Sequence, residues 1–155
     1  MTLRSERSSH PALSCADGLA ASTSDIVLLI GRILLGWIFV RSGYGKLFDM
    51  SAYAAMLQGR GIPIFIAYIS ILVEFFGGIA LILGFATRYV TLVMIAFMVV
   101  ATFTSHRYWQ FTDVNVRRIQ ELNFYKNLAI IGGFFFLFVC NSKRLSVDAW
   151  LHGRS

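Results

Sequence analysis

A glutamate inside a long apolar run is the residue in this sequence whose type and position most clearly suggest chemistry. Glu74 interrupts the otherwise uncharged run 62–86. At 1.5 Å per helical residue it would lie about 18 Å from either end, close to the middle of a membrane. A carboxylate at that depth must be protonated or paired with a cation, for which Arg32 and Lys126 are the candidates. Glu74 would then either lock two helices together, carry a proton or bind a polar substrate.

Further polar side chains fall near or within the other apolar runs. Arg32 and Lys46 share one face of the first run with Gly36 and Gly43, which let a neighbouring helix approach closely. These charges could equally be structural, holding helices together. If these polar residues are functional, those that can transfer a proton are candidate catalytic residues. Those with a positive charge or an amide are candidate ligand-binding residues. The catalytic candidates are Glu74 and His106, and the substrate-binding candidates are Arg32, Lys46, Lys126 and Asn127.

The elements that must position these residues are four apolar runs, each long enough to cross a bilayer as a helix. They cover residues 26–43, 62–86, 89–105 and 122–140. We therefore predict an all-α membrane protein, an antiparallel bundle of four transmembrane helices. Residues 51–58 predict a short interfacial helix in the first loop, with Tyr53, Met56 and Leu57 facing lipid. The predicted organisation is a disordered tail over 1–24, a membrane domain over 25–148 and a short tail over 149–155.

The alternating direction of the helices predicts which polar residues meet. The end of the first helix, the end of the third and the start of the fourth lie on one side of the membrane, opposite both termini. Lys46, His106 and Lys126 should therefore lie at one level, with Glu74 below them, around a shared cavity. The Lys and Arg residues are divided almost evenly between the two sides, so charge bias does not set the orientation.

Composition excludes an ordinary soluble domain. Hydrophobic residues make up 57% of the chain and charged residues 14%, against about 45–50% and about 25% in soluble proteins. The net charge of +6 is scattered between apolar runs, which suits lipid headgroups and does not predict nucleic-acid binding. The sequence has no CxxC motif and no HExxH or other zinc-ligand spacing, so we expect no tightly bound metal.

Five short segments occur in a characteristic order and spacing: Gly31-Arg32-Ile33-Leu34-Leu35-Gly36, Gly43-Tyr44-Gly45-Lys46-Leu47, Glu74-Phe75-Phe76-Gly77-Gly78, His106-Arg107-Tyr108-Trp109 and Asn123-Phe124-Tyr125-Lys126-Asn127. With them the chain resembles the DoxX family of small bacterial inner-membrane proteins over about residues 30–148. The chain departs from the family at residues 140–143, where relatives carry a glycine-rich turn. The resemblance implies four helices, cytoplasmic termini and polar positions at the six candidate site residues.

The resemblance also shapes the functional hypotheses, because the family is named for a subunit of a thiosulfate:quinone oxidoreductase. The first hypothesis is a redox-associated membrane subunit acting on or near a quinone or a small sulfur or thiol compound. Quinone would then be the possible cofactor. The second is an accessory subunit without activity of its own that recruits a soluble oxidoreductase. The third is a small transporter, which four helices could form only as a homo-oligomer. Whether the chain is an enzyme is left open.

Overall fold

The computed structural model describes residues 11–151 and 153, and their side chains from residue 15 onward. Within these residues all regular structure is helical. The elements are α1 Pro11–Phe48, α2 Met50–Gln58, α3 Ile64–Leu83, α4 Thr87–Ser105, a 3-10 turn Tyr108–Gln110, α5 Val114–Cys140 and α6 Val147–Leu151. Four segments are long and apolar enough to span a membrane: Cys15–Phe48, Ile64–Leu83, Thr87–Gln110 and Val114–Cys140. The predicted all-α bundle of four membrane helices is confirmed.

The first helix is longer at both ends than the sequence predicts. Residues 11–24, expected within a disordered tail, form the start of α1; residues 1–10 lie outside the described residues. Pro11 is tolerated in a first helical turn, and the alanines that follow have high helix propensity. At the other end, Gly43 and Gly45 do not stop the helix, which continues to Phe48. Lys46, which lies beyond the predicted end of the run at residue 43, is therefore on the last turn of α1.

Glycines explain why α1 and α3 pack so closely. A Cβ on Gly36 would lie 2.6 Å from the carbonyl oxygen of Gly78, and one on Gly43 would lie 2.8 Å from the backbone nitrogen of Phe75. The two helices run antiparallel with their backbones in contact at these points. This close approach fixes the rotation of each helix about its axis, and so fixes which side chains of α1 face α3.

The other two membrane helices form a second pair. Phe103 of α4 meets Phe124 of α5 edge to face, with ring centroids 5.4 Å apart. The α3–α4 turn joins the two pairs, and Gly84 in that turn has a left-handed backbone (φ 67°). A buried cluster fills the space between the pairs in the half of the bundle near the termini: Phe39, Leu81, Met94, Met98, Ile131, Phe134 and Leu137. In the opposite half the pairs separate.

Helix α2 covers that opposite half. It forms where the sequence predicts a short helix, but not with the predicted face towards lipid. Leu57 is buried together with Ala54 against Ala67 of α3, Tyr53 packs beside them, and Met56 is exposed. Tyr53 and Leu57 face the protein because Gly61 (φ 74°) turns the chain back and lays α2 along the start of α3.

Candidate functional site

Glu74 forms an ion pair with Lys46. The lysine Nζ donates hydrogen bonds to both carboxylate oxygens, at 2.6 and 2.7 Å. The prediction that Arg32 or Lys126 would pair with Glu74 is wrong. Lys46 takes this position because α1 continues past Gly45, and the contact of Gly43 with Phe75 brings the last turn of α1 against the middle of α3. Glu74 is buried, whereas about a quarter of the Lys46 side chain (26%) stays accessible.

The ion pair lies in the wall of a cavity of about 660 Å³ between the two helix pairs. This volume falls within the range of about 300–1,000 Å³ typical of small-molecule sites. Side chains from α1, α2, α3, α4 and α5 form the walls. The candidate site residues that line it are Lys46, Glu74, His106, Lys126 and Asn127. The cavity thus brings together all of the predicted site residues except Arg32, at the end of the bundle opposite the termini.

Much of the cavity wall is apolar. Its lining includes Ile66, Ile69 and Val73 of α3, and Val93, Phe97 and Val100 of α4. Ile69, Val93 and Val100 each leave about half or more of their surface accessible, at 50%, 52% and 61%. We call this exposed part of the cavity wall, on the membrane helices α3 and α4, the mouth of the cavity.

Three polar side chains complete the polar end of the cavity. His106 follows the last residue of α4, and its Nδ1 is 2.8 Å from Oε1 of Gln120 on α5. Lys126 donates to Oδ1 of Asn123, one turn earlier on α5, at 2.9 Å. Asn127 is buried, 8% exposed. These groups can donate hydrogen bonds to a ligand's oxygen atoms, and His106 can also exchange a proton.

Tyr53 also contacts the ion pair, although the sequence predicts that it faces lipid. The Tyr53 ring lies under the Lys46 ammonium, 4.8 Å from Nζ to the ring centroid. The Tyr53 hydroxyl is 3.0 Å from Oγ of Ser70, which lies one turn before Glu74 on α3. Tyr53 therefore covers the ion pair from the α2 side. The sequence shows a short amphipathic helix with a tyrosine. This pattern occurs both in helices that lie at the membrane surface and in helices that pack on the protein, so it does not distinguish the two.

Arg32 lies at the other end of the bundle and does not line the cavity. It is almost fully buried (2% exposed), and its Nη2 donates to the carbonyl oxygen of Leu145. A Cβ on Gly84 would overlap the guanidinium, so the α3–α4 turn rests directly on it. Arg32 thus contacts the segment after α5 and does not line the cavity where the other five candidates lie.

Asp148, on α6, also ties the segment after α5 to the α3–α4 turn. Its carboxylate accepts hydrogen bonds from the backbone N–H groups of Ala86 (2.6 Å) and Thr87 (2.9 Å) and from the Ser142 hydroxyl (2.9 Å). Burial acts to raise the pKa of Asp148, but the hydrogen bonds outweigh it and the pKa lies below its ordinary value. We call this set of contacts the C-terminal clasp; its residues are Arg32, Gly84, Ala86, Thr87, Ser142, Leu145 and Asp148.

In the part of the chain that the structure describes, no three His, Cys, Asp or Glu residues come together in an arrangement that could hold a metal ion. Cys15 and Cys140 are both free thiols and exposed. Within the described residues, the ionisable side chains that line the cavity are the groups that could react with a ligand there.

The chain is similar in sequence to known proteins along most of its length. The DoxX family profile matches residues 27–107. The chain is 31% identical over 128 residues to the inner membrane protein YqjF of Escherichia coli (strain K12), covering 83% of this chain and 94% of that protein. It is 30% identical over 125 residues to the inner membrane protein YphA of the same organism, covering 79% of this chain and 89% of that one. No solved structure matches the chain. With these relatives, this profile match and four apolar spans, the chain belongs to the DoxX family and is a multi-pass inner-membrane protein.

Proposed function

We propose that this protein is a redox-associated membrane subunit that binds a quinone in the cavity, with the quinone's carbonyl groups at the Lys46–Glu74 end. The observation that carries this proposal is the combination of an apolar cavity of about 660 Å³ with an ion pair in its wall. Such a site suits a ligand with a flat apolar body and polar oxygen atoms. A quinone supplies the capacity to accept and release electrons together with protons.

The position of the mouth favours a membrane-soluble ligand over a small hydrophilic sulfur compound. Ile69, Val93 and Val100 line the cavity and are also accessible from the outside of the bundle. A hydrophilic sulfur compound would lose its hydration along such a wall without gaining hydrogen bonds, whereas a quinone would gain apolar contact. A soluble oxidoreductase that docks on the protein would exchange the electrons with the bound quinone.

Each polar residue has a chemical role in this proposal. Lys46 donates a hydrogen bond to a quinone carbonyl, since its ammonium has three N–H groups and Glu74 accepts two hydrogen bonds from it. Glu74 exchanges a proton with the ligand, and His106, held by Gln120, provides a second proton-exchanging group. Lys126 and Asn127 hold the ligand's oxygens from the α5 side.

Equilibrium binding of a short-chain quinone to the purified protein in lipid nanodiscs tests the proposal. We expect saturable binding, weakened about tenfold or more by Glu74→Gln, which is about 1.4 kcal/mol of binding free energy. Glu121→Gln, a carboxylate substitution on α5 outside the cavity lining, is the control and should bind like the wild type. Mass spectrometry of the protein extracted in native lipid should detect a co-purified quinone. Equal binding by Glu74→Gln and the wild type would contradict the assigned site.

We also propose that both termini face the cytoplasm, so the cavity's polar end lies near the opposite membrane surface. The exposed Cys15 reports the side on which α1 begins. In a Cys140→Ser background, a membrane-impermeant maleimide should label Cys15 in inverted vesicles and not in intact spheroplasts. A cysteine introduced at the exposed Arg107, in a chain whose Cys15 and Cys140 are both replaced by serine, should show the reverse pattern. The opposite result for both positions would reverse the orientation.

A further inference from the structure

The charges around the cavity do not balance. Among the described residues that line it, Glu74 is the one carboxylate, whereas the cations are Lys46, Arg60 and Lys126. Lys46 neutralises Glu74 through two hydrogen bonds. Two positive charges therefore remain without an acidic counterpart in the lining, and a protonated His106 would add a third.

The two remaining cations are free to meet a ligand. Arg60 is exposed in the loop after α2, and Lys126 is exposed on α5 with the neutral Asn123 as its hydrogen-bond partner. Within the described residues the ion pair found is Lys46–Glu74, so neither Arg60 nor Lys126 is engaged by a carboxylate. They approach the cavity from different elements, one on the α2 side and one on the α5 side.

The neutralisation of Glu74 removes the charge that would repel an anion. A bare carboxylate in the wall would repel an anionic head group. With the Lys46 Nζ at 2.6 and 2.7 Å from the Glu74 oxygens, the pair has no net charge, and the remaining formal charges of the lining are those of Arg60 and Lys126. The apolar mouth between α3 and α4 still demands a hydrophobic body.

We propose that the cavity is specific for acidic membrane-soluble ligands, those in which the head group on the apolar body is ionised at neutral pH. An ionised hydroxyl on the ring of a quinone is the form that matches the proposed function. This inference rests on that function for the ring and on the unpaired cations Arg60 and Lys126 for the charge.

Two naphthoquinones with the same alkyl chain test this specificity. One carries a hydroxyl on the quinone ring, which is ionised at neutral pH, and the other carries a methoxy group, which stays neutral. Binding is measured in nanodiscs of zwitterionic lipid at low salt, with empty nanodiscs to subtract partition into the bilayer. We expect the hydroxyl compound to bind about five- to tenfold more tightly, the scale expected from two partly solvated charge contacts.

Substitutions then assign the preference to the two cations. Arg60→Gln and Lys126→Gln should each narrow the ratio of the two affinities, and the double variant should bring it close to one. Lys143→Gln, which removes an exposed cation that does not line the cavity, should leave the ratio unchanged. Added salt should also narrow the wild-type ratio.

The outcomes separate this inference from the proposed function. Equal affinity of the wild type for the two compounds, or a preference that survives in the double variant, would overturn the selection for acidic ligands while leaving quinone binding in place. Binding of neither compound would overturn both proposals. Loss of the hydroxyl compound's advantage in the Lys143→Gln control would show that general membrane charge, and not the cavity, sets the preference.

Discussion

At the scale of single residues, Lys46 and Glu74 stabilise the protein only as a pair. Each would be costly to bury by itself, and together they satisfy one another with two short hydrogen bonds. Tyr53 adds a ring beneath the ammonium at 4.8 Å and limits its hydration. The pair can therefore be kept in a mostly apolar wall, where its charges are available to a ligand.

Breaking the pair from one side should cost more than removing it entirely. Lys46→Met leaves the buried Glu74 without its cation, and we expect a loss of about 2–3 kcal/mol in the free energy of unfolding, discounted because the lysine is partly solvated. Lys46→Met combined with Glu74→Leu should recover most of that loss. Unfolding titrations with a denaturing detergent, followed by circular dichroism, measure both.

The matched control for this pair is Lys143→Met, which removes an exposed lysine whose Nζ contacts a serine hydroxyl and no carboxylate. It should change the unfolding free energy by less than about 0.5 kcal/mol. Additive losses for the two single substitutions, Lys46→Met and Glu74→Leu, with no recovery in the double variant would mean that the pair does not contribute as a unit.

At the scale of elements, the contact between α1 and α3 positions the site. Gly36 and Gly78 face each other, so the two backbones touch where other residues would hold them apart. The same contact aligns Gly43 with Phe75 and hence Lys46 with Glu74. A change in the distance or rotation of these helices would separate the ion pair even though neither charged residue had changed.

Adding a methyl group at this contact should destabilise the bundle and disturb the site together. In Gly78→Ala the new Cβ would lie 2.8 Å from the Gly36 carbonyl oxygen and 2.9 Å from the backbone nitrogen of Val40. Neither backbone atom can move away cheaply, so we expect a loss of about 1–3 kcal/mol in unfolding free energy, together with weaker quinone binding.

Gly132 provides the comparison, because a Cβ there meets nothing within 4 Å. Gly132→Ala on α5 should be neutral or stabilising by up to about 1 kcal/mol, since alanine favours the helix. Thermal unfolding of the two variants in the same detergent decides the matter. If both alanine variants behaved alike, the backbone contact would have no special role in holding α1 to α3.

At the scale of the whole molecule, the bundle is closed at one end and hollow at the other. The buried cluster around Leu81, Met94 and Phe134 fills the half near the termini, and the C-terminal clasp ties the segment after α5 to the α3–α4 turn. The cavity occupies the opposite half, under α2. The described residues thus form a pocket with one polar end.

Because of the C-terminal clasp, the free energy of unfolding should depend on pH. Because the folded-state pKa of Asp148 is lowered, its stabilising contribution is fully present above its unfolded pKa of about 3.9 and is lost as the pH falls through the folded value. Asp148→Asn should therefore lower the unfolding free energy by about 1–2 kcal/mol at neutral pH, the scale of charge-assisted hydrogen bonds.

The difference between the wild type and Asp148→Asn should then shrink as the pH falls below about 4. Thermal midpoints measured from neutral to acidic pH give this difference directly. Asp17→Asn, at an exposed position of α1 away from the clasp, serves as the control and should follow the wild type throughout. A difference that stayed constant with pH would show that the Asp148 carboxylate is not the stabilising form.

The four membrane helices, and the depth in the membrane at which most of the polar residues lie, could be predicted from the amino-acid sequence. Helix formation in a membrane follows from runs of apolar residues, which are local, and the alternating direction of the helices follows from their number. Lys46, Glu74, His106 and Lys126 could therefore be assigned to one cavity in advance, and the structure adds Asn127 to them. The family could also be recognised from short segments in a fixed order.

Which of those residues contact one another depends on the packing of the helices in the tertiary structure. Glu74 meets Lys46 because the glycines of α1 and α3 let the backbones meet at one particular rotation, and hydropathy carries no information about rotation between helices. Arg32 turns to the C-terminal clasp because a segment far away in the chain supplies the Leu145 carbonyl. Tyr53 faces inward because α2 packs on α3. Each of these outcomes depends on contacts between residues distant in sequence, which local patterns cannot specify.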